Sequence, residues 1–430
     1  MSRWDRRAVP VPPALTDRRP YEESKSEVRS GRSGATGFGA LNTTAIDTPG
    51  MSVVDLTRDL VAIPSHQDET AAGDFLEDWL RRETDAAVTR DAVGNVIARK
   101  GSGPETLAFV GHHDVVEPTG SQVANADGDD PSEYVVEERD GRLYGRGTAD
   151  MKGALAAALL AFRDSEVRTP SSSRTQSGDA DPADELVVAS FVGEEVGGVG
   201  AQHAIETGFA PDYAVVGEGS TNYSGPDVTD VAIAHKGRRG STITAHGTAA
   251  HASEADAGEN AIYRATEAVD DVRGLQPPSV DVAGETLEGR LTVTEIDGGS
   301  AMNVVPARCE FTVDERTVPG ERAALERVAE PAGIEWTVDQ DLPPMRCTDE
   351  AFAECVLEAA AASQAGAPEL VTKPHATDAG WLSRAGTECV IYGPSEPGEA
   401  HTDDESVSVA VLERCRETYR RVARRWLTAR

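Results

Sequence analysis

Just after Met51, the residues Val53, Val54, Leu56, Leu60 and Val61 fall on one side of a helical wheel. Phe75, Leu76, Trp79 and Leu80 mark a second amphipathic helix over 69–83. The period then changes. "NVIAR" (95–99) and "LAFVGH" (107–112) are short apolar runs of the kind buried strands show, and "LVVASFVG" (186–193) and "YAVVGE" (213–218) repeat the type. The Ala-rich segment 151–163 between them reads as a helix. This alternation from 51 to about 228 predicts an α/β sheet. "RTPSSSRTQSGDADPADE" (168–185) interrupts it as a polar, low-complexity surface loop.

Residues 229–342 follow another plan. A strand at "GSTITAHG" precedes a helix over 260–273 with Ala261, Ile262, Ala265, Val269 and Val272 on one face. Strands at "GRLTVTEI" and "RCEFTVDER", a helix at "GERAALERVAE" and a strand at "IEWTVDQ" complete the order β-α-β-β-α-β, the split βαβ unit of ferredoxin-like domains. Residues 343–430 return to helices and a strand, "ECVIYG", and close on an amphipathic helix through Val411, Cys415, Tyr419, Val422 and Trp426. The expected architecture is an α/β domain built from 51–228 and 343–430, with a smaller α+β domain (229–342) inserted. Residues 1–50 are rich in Arg, Pro, Ser and Gly and read as a disordered leader. Met51 is the expected natural start, the leader being a gene-calling artefact.

Composition narrows the functional classes. With 39% hydrophobic residues in 430, the chain can bury a core large enough for two or three domains. Its net charge of −33 is spread along the sequence, which disfavours nucleic acid and anionic membrane as partners. Lysine occurs only at 25, 100, 152, 236 and 373, and acidic residues with so little lysine suggest a halophilic protein from a high-salt cytoplasm. Five cysteines without a C-x-x-C pair argue against a disulfide framework or thiolate-bound zinc and for free thiols in a reduced, cytoplasmic setting. The longest apolar stretch, "ALAAALLAF" (154–162), is far below the roughly 20 residues a spanning helix needs.

Candidate chemistry gathers at strand ends, where ligands of open α/β sheets bind. Along 107–114, period-2 alternation places His112 and Asp114 on one face and His113 on the other. An aspartate that fixes an imidazole is common around metals, and a structural histidine is the plainer alternative. Asp150 opens the Ala-rich helix, where a helix cap would explain it. Glu194 and Glu195 are adjacent carboxylates ending an apolar strand, either a solvated loop pair or one metal ligand and one proton carrier. Glu218 ends another strand, and His401 lies in the C-terminal loop "GPSEPGEAHTDDES". With one of the glutamate pair as ligand, His112, His401, Asp150 and Glu218 bring the set to two histidines and three carboxylates, enough for two divalent ions sharing one carboxylate. Nitrogen and oxygen donors without thiolate suit zinc, cobalt or manganese.

The ordered set "GHHDVV", "GRGTADMKG", "GEEVGG", "VVGEGS", "GTAAHAS", "GGSAMNVVP", "VDER" and "GEAH" resembles the co-catalytic zinc deacylases and carboxypeptidases over about 51–430. That family includes succinyl-diaminopimelate desuccinylase, acetylornithine deacetylase, aminoacylase and glutamate carboxypeptidase. The resemblance implies a zinc-peptidase-like catalytic domain with an inserted ferredoxin-like lid and dimerisation domain. It implies His112, Asp150 and Glu218 as ligands of one ion, and Asp150, Glu195 and His401 as ligands of the other. Zinc is the expected metal, with cobalt and manganese as alternatives. Glu194 matches the general base that deprotonates a bridging water, and Asp114 the residue that steadies His112. His251 resembles a histidine that reaches the partner's active site in a homodimer and stabilises the oxyanion. Arg238, Asn303 and Arg316 resemble groups that hold a substrate carboxylate. Thr377 lies in "HATDAGWL", similar to a substrate-loop motif, although Gly380-Trp381 replaces an arginine often found there. The implied reaction is hydrolysis of an N-acyl amino acid. A dipeptidase or carboxypeptidase acting on a short peptide is the competitor, and a non-catalytic metal or amino-acid binding protein is the reading from a different class.

Overall fold

Every residue of Leu107–His112 is buried because the strand Thr106–His112 lies inside a nine-stranded sheet, between the parallel strands Glu185–Phe191 and Tyr213–Val216. The computed structural model describes residues 51–124, 133–167 and 184–428. The expected leader, 1–50, lies outside the described residues, as does nearly all of the polar insertion 168–185. The sheet runs Ala87–Arg90, Val96–Gly101, Glu185–Phe191, Thr106–His112, Tyr213–Val216, Glu388–Ile391, Val231–His235 and Met345–Arg346, with Leu370–Lys373 also pairing Val231–His235.

The pleat divides the core. Leu107 and Phe109 face the helices Val53–Val61, Gly153–Asp164, Glu350–Ala361 and Val409–Thr428, packing with Leu56, Leu155, Leu159, Val356 and Tyr419. Ala108 and Val110 face the other way, into Phe191, Phe209, Val216 and Leu382. Both faces of these central strands are therefore dry, which is why they read as unbroken apolar runs. The Ala-rich helix begins at Gly153, two residues later than its periodicity suggests, because Thr148–Lys152 forms a separate, irregular turn with a cis peptide between Asp150 and Met151. Met151 fits across the strand ends only because they carry glycine. A Cβ at Gly111 or Gly217 would lie 2.6 Å from its Cε atom.

A second, antiparallel sheet has the order Arg290–Gly298, Arg308–Thr317, Gly237–His246, Ile334–Leu342, with the helix Ala261–Gly274 packed on one face. Ile243, Ala245, Ala265, Phe311 and Val313 form its core. The helix expected at "GERAALERVAE" is instead a 3-10 turn, Leu325–Ala329. Side chains claim the backbone it would have used: Ala323 N–H donates to Glu315 Oε1 (3.1 Å), and Arg239 Nη2 donates to the Ala323 carbonyl (3.2 Å). With Pro319 and Pro331 bracketing the segment, too few residues remain to offset helix nucleation. Leu325 and Val328 are still buried, so the periodicity reported burial correctly and element type incorrectly. A hairpin, Ser279–Val282 with Glu285–Glu288, was not predicted; it turns through Ala283 and Gly284, both at positive φ. Cys309, Cys347, Cys389 and Cys415 are buried thiols. Among the described residues, no helix is long and apolar enough to cross a membrane.

Candidate metal centre and active site

His112, Asp150, Glu195, Glu218 and His401 come from five separate stretches of chain, and the C-terminal ends of the parallel strands bring them together. His112 ends one central strand, Glu218 follows another by two residues, and Glu195 lies just beyond a third. His112 Nε2 is 3.1 Å from Asp150 Oδ1 and 3.4 Å from Glu218 Oε1. His401 Nε2 is 3.1 Å from Asp150 Oδ2 and 3.0 Å from Glu195 Oε1. Asp150 thus presents one oxygen to each of two donor triads, and the donor atoms within each triad lie within 4.8 Å of one another. Its side chain caps no helix: the N-cap position of the following helix is Lys152, and no side chain bonds there.

Asp114 ties two of these groups down. Its carbonyl oxygen is 3.1 Å and its Oδ1 3.3 Å from His112 Nδ1, while its Oδ2 accepts the backbone N–H of Glu195 at 3.0 Å. His113 points away, with Nδ1 2.8 Å from Ser190 Oγ, and burial lowers its pKa to about 3. The strand's alternation sorted these two histidines for a steric reason: successive side chains leave a strand on opposite sides.

The electrostatics of the cluster call for cations. Burial first, and then Asp378, Glu218 and Asp150, push the carboxyl of Glu194 well above the ordinary range against the pull of His112. Glu195 is also raised, by burial and by Asp150, against the hydrogen bond from His401. Burial disfavours protonation of His112, but Asp114, Asp150 and Glu218 overcome it and hold its pKa well above 6.5. Hydrogen bonds to Asp150 and Glu195 raise His401 to about 10. Four acid groups and two imidazoles share one largely buried spot. Their oxygen and nitrogen donors, converging without a thiol, fit divalent ions of the zinc type.

Two cavities meet at Glu194. One, of about 320 Å³, is lined by the two triads' carboxylates and His401, with Tyr223, Lys373, His375 and Ser395. The other, of about 200 Å³, is lined by Arg238, Gln340, Thr377, Asp378 and Trp381. Arg238 is half-exposed and shares Asp314 with Arg316, each at 2.8 Å. Thr377 is buried, caps the helix Asp378–Arg384 and lies 3.3 Å from His235 Nε2. His251 and Asn303 are exposed and line neither cavity of their own chain; they are neighbours through the pairing of Ala250–His251 with Val304–Val305.

Two contributors escaped sequence reasoning. Glu405, which is 1% exposed, accepts from the backbone N–H groups of Gly147, Ala149 and Asp150, and Arg146 lies 2.6 Å from its other oxygen. In "HTDDES" it is indistinguishable from Asp403 and Asp404, which are exposed. Lys373 is the second. It is buried with Nζ 3.2 Å from Glu218 Oε2, and only its rarity in this chain could have drawn attention to it.

Fold and site together define a mixed α/β hydrolase with a candidate metal centre at its strand ends. The chain belongs to peptidase family M20/M25/M40, whose model matches residues 108–425; peptidases of this family are metal-dependent. It is 29% identical over 401 residues to an acetylornithine deacetylase of Myxococcus xanthus, covering 87% of this chain and 94% of that one. A succinyl-diaminopimelate desuccinylase of Bordetella avium is 27% identical over 407 residues, covering 88% and 99%. Among solved structures, aminopeptidase PepT from Bacillus cereus superposes with a TM-score of 0.66 at 20% identity, covering 86% of this chain and 96% of that one. The Bacillus subtilis YXEP protein, described as a dinuclear metal-binding peptidase of the M20 family, gives 0.62 at 15% identity, covering 87% and 97%. The zinc-peptidase-like fold is thereby established.

Proposed function

We propose that this hydrolase cleaves the amide bond of N-acyl amino acids, releasing a carboxylate and an amine. The observation that carries the reading is the pair of donor triads sharing Asp150, set beside a buried Glu194 that opens onto both cavities. Two divalent ions held by His112–Asp150–Glu218 and Asp150–Glu195–His401, zinc first among the candidates, would activate water and polarise the scissile carbonyl. Glu194 takes the proton of the attacking water and returns it to the departing nitrogen, a role open to a carboxylate that belongs to neither triad and lines both cavities. Asp114 holds His112 and the Glu195 backbone in register. Arg238, Arg316 and Asn303 bind the substrate carboxylate, Arg238 from the second cavity, and Thr377 contributes the substrate loop that lines the same cavity. His251 serves the partner's site as oxyanion donor, so the working unit is a homodimer built through the inserted sheet. Relatives named acetylornithine deacetylase and succinyl-diaminopimelate desuccinylase support the substrate class.

The deciding experiment is hydrolysis by zinc-loaded protein in high salt, across N-acetyl amino acids, N-succinyl amino acids and dipeptides. N-acyl amino acids should be cleaved, a chelator should abolish cleavage, and zinc or cobalt should restore it. Cleavage of dipeptides alone would move the assignment to a peptidase. Bound metal with no cleavage at all would leave a binding protein.

A further inference from the structure

Of the four lysines among the described residues, Lys100 and Lys152 are anchored on backbone carbonyls. Lys100 Nζ reaches those of Phe162, Arg163 and Ser165, and Lys152 Nζ that of Ile63. Lys373 differs. It ends the strand Leu370–Lys373, is 6% exposed, and lines the cavity that holds the donor triads. Its Nζ donates to Glu218 Oε2 at 3.2 Å, on the opposite carboxylate oxygen from the one facing His112. An ammonium has three N–H donors, and Glu218 is the single hydrogen-bond partner of this one among the described residues. Two residues on, His375 lines the same cavity with no hydrogen bond to any described residue, and Tyr223 contributes to the same wall. Burial, then Lys373 and Arg316, lower the pKa of His375 against the opposing pull of Glu218.

Glu218 takes one of the three N–H donors of Lys373, which leaves two donors of the ammonium, the His375 ring and the Tyr223 phenol along one cavity wall for a further anion. We infer that Lys373, His375 and Tyr223 form an anion subsite that receives a carboxylate of the substrate beside the candidate metal centre. Lys373 supplies the charge, and the imidazole and phenol supply directional donors. Two carboxylates of an N-acyl amino acid have this chemistry: the α-carboxylate of the amino acid, and the distal carboxylate of a dicarboxylic acyl group.

The subsite rests on the hydrolase reading, and the experiment separates the two. Steady-state kinetics on zinc-loaded wild type, Lys373→Met, Lys373→Arg and His375→Ala would compare one amino acid carrying an N-acetyl or an N-succinyl group, with metal content measured in parallel. KM should rise roughly ten- to a hundred-fold in Lys373→Met and His375→Ala, with a smaller change in kcat and unchanged metal content, and Lys373→Arg should recover most of the loss. A rise confined to the N-succinyl substrate assigns the subsite to the acyl carboxylate, and an equal rise for both assigns it to the α-carboxylate. His375 is exposed, so its variant decides the matter if Lys373→Met misfolds or loses metal. An unchanged KM for both substrates in His375→Ala, or in a folded Lys373→Met protein that keeps its metal, would overturn the subsite. A wild type that cleaves neither substrate would instead overturn the hydrolase reading.

Discussion

Glu405 and Asp150 are 255 residues apart in the chain, yet Glu405 Oε1 accepts the backbone N–H of Asp150 at 3.1 Å. The same oxygen takes the N–H groups of Gly147 (2.9 Å) and Ala149 (3.0 Å), and Oε2 pairs with buried Arg146. One carboxylate thereby shapes the whole turn that presents Asp150 to both triads. It also follows His401 by four residues, so it fastens the C-terminal histidine loop to the turn that carries Asp150.

Replacing Glu405 with glutamine keeps the size but removes the charge, and its amide NH₂ must face either Arg146 or the backbone donors. Metal affinity should fall about 10–100-fold, as when hydrogen-bond partners of metal ligands are lost. Chelator competition on the folded variant checks this. Wild-type affinity in a folded Glu405→Gln protein would remove Glu405 from the positioning role.

Glu194 donates to neither triad. Glu194→Ala should therefore bind metal normally while kcat falls by roughly 10²–10⁴-fold. Metal analysis beside turnover on the best N-acyl substrate separates a lost base from a lost ligand. A variant retaining wild-type kcat would show that another group moves the proton.

If His251 of one subunit completes the other's site, His251→Ala and Glu194→Ala proteins should each be inactive alone. Unfolding and refolding them together at equal amounts should restore about a quarter of wild-type activity, because half the dimers are mixed and each mixed dimer has one intact site. No recovery from a mixture that does form dimers would confine His251 to its own chain.

Gly198 has φ +74°, and a Cβ there would lie 2.5 Å from Trp381 Nε1 and 2.8 Å from Asp378 Oδ1. Gly198→Ala should destabilise the fold by about 1–3 kcal/mol through backbone strain and overpacking. It should also disturb the cavity shared with Glu194. A thermal melt checks the first effect, and an unchanged Tm would mean that neither the left-handed backbone nor the Trp381 contact resists a methyl group.

Burial lowers His235 to a pKa of about 4, and its Nδ1–H donates to the Lys236 carbonyl at 3.0 Å. In the unfolded chain the ring titrates near 6.5, so between these values only the unfolded state gains a proton. Its contribution to stability is complete above pH 6.5, is lost as pH falls towards 4, and is flat below. The loss amounts to roughly 3 kcal/mol. Urea midpoints of wild type and His235→Gln across that range should converge as pH falls. Parallel curves would place the acid sensitivity elsewhere.

Local pattern was enough for five adjoining strands of the main sheet, most helices and the placing of His112 and His113 on opposite faces, because side-chain alternation and burial on two faces are written in neighbouring residues; it missed Ala87–Arg90, Val231–His235, Met345–Arg346 and Leu370–Lys373. It was not enough for "GERAALERVAE", where Glu315 and Arg239 take the backbone groups a helix would need. Nor could it separate Asp150 the cap from Asp150 the candidate shared ligand, since that depends on His112 and His401 approaching opposite oxygens of one carboxylate. The order of motifs determined by itself which residues were candidates and which family they point to. Tertiary structure alone decided which charges are buried. Glu405 sits among exposed aspartates and Lys373 at a strand end, and neither is marked by its neighbours. Keeping a charge out of water requires partners from distant segments, and those partners exist only once the sheet has brought the segments together.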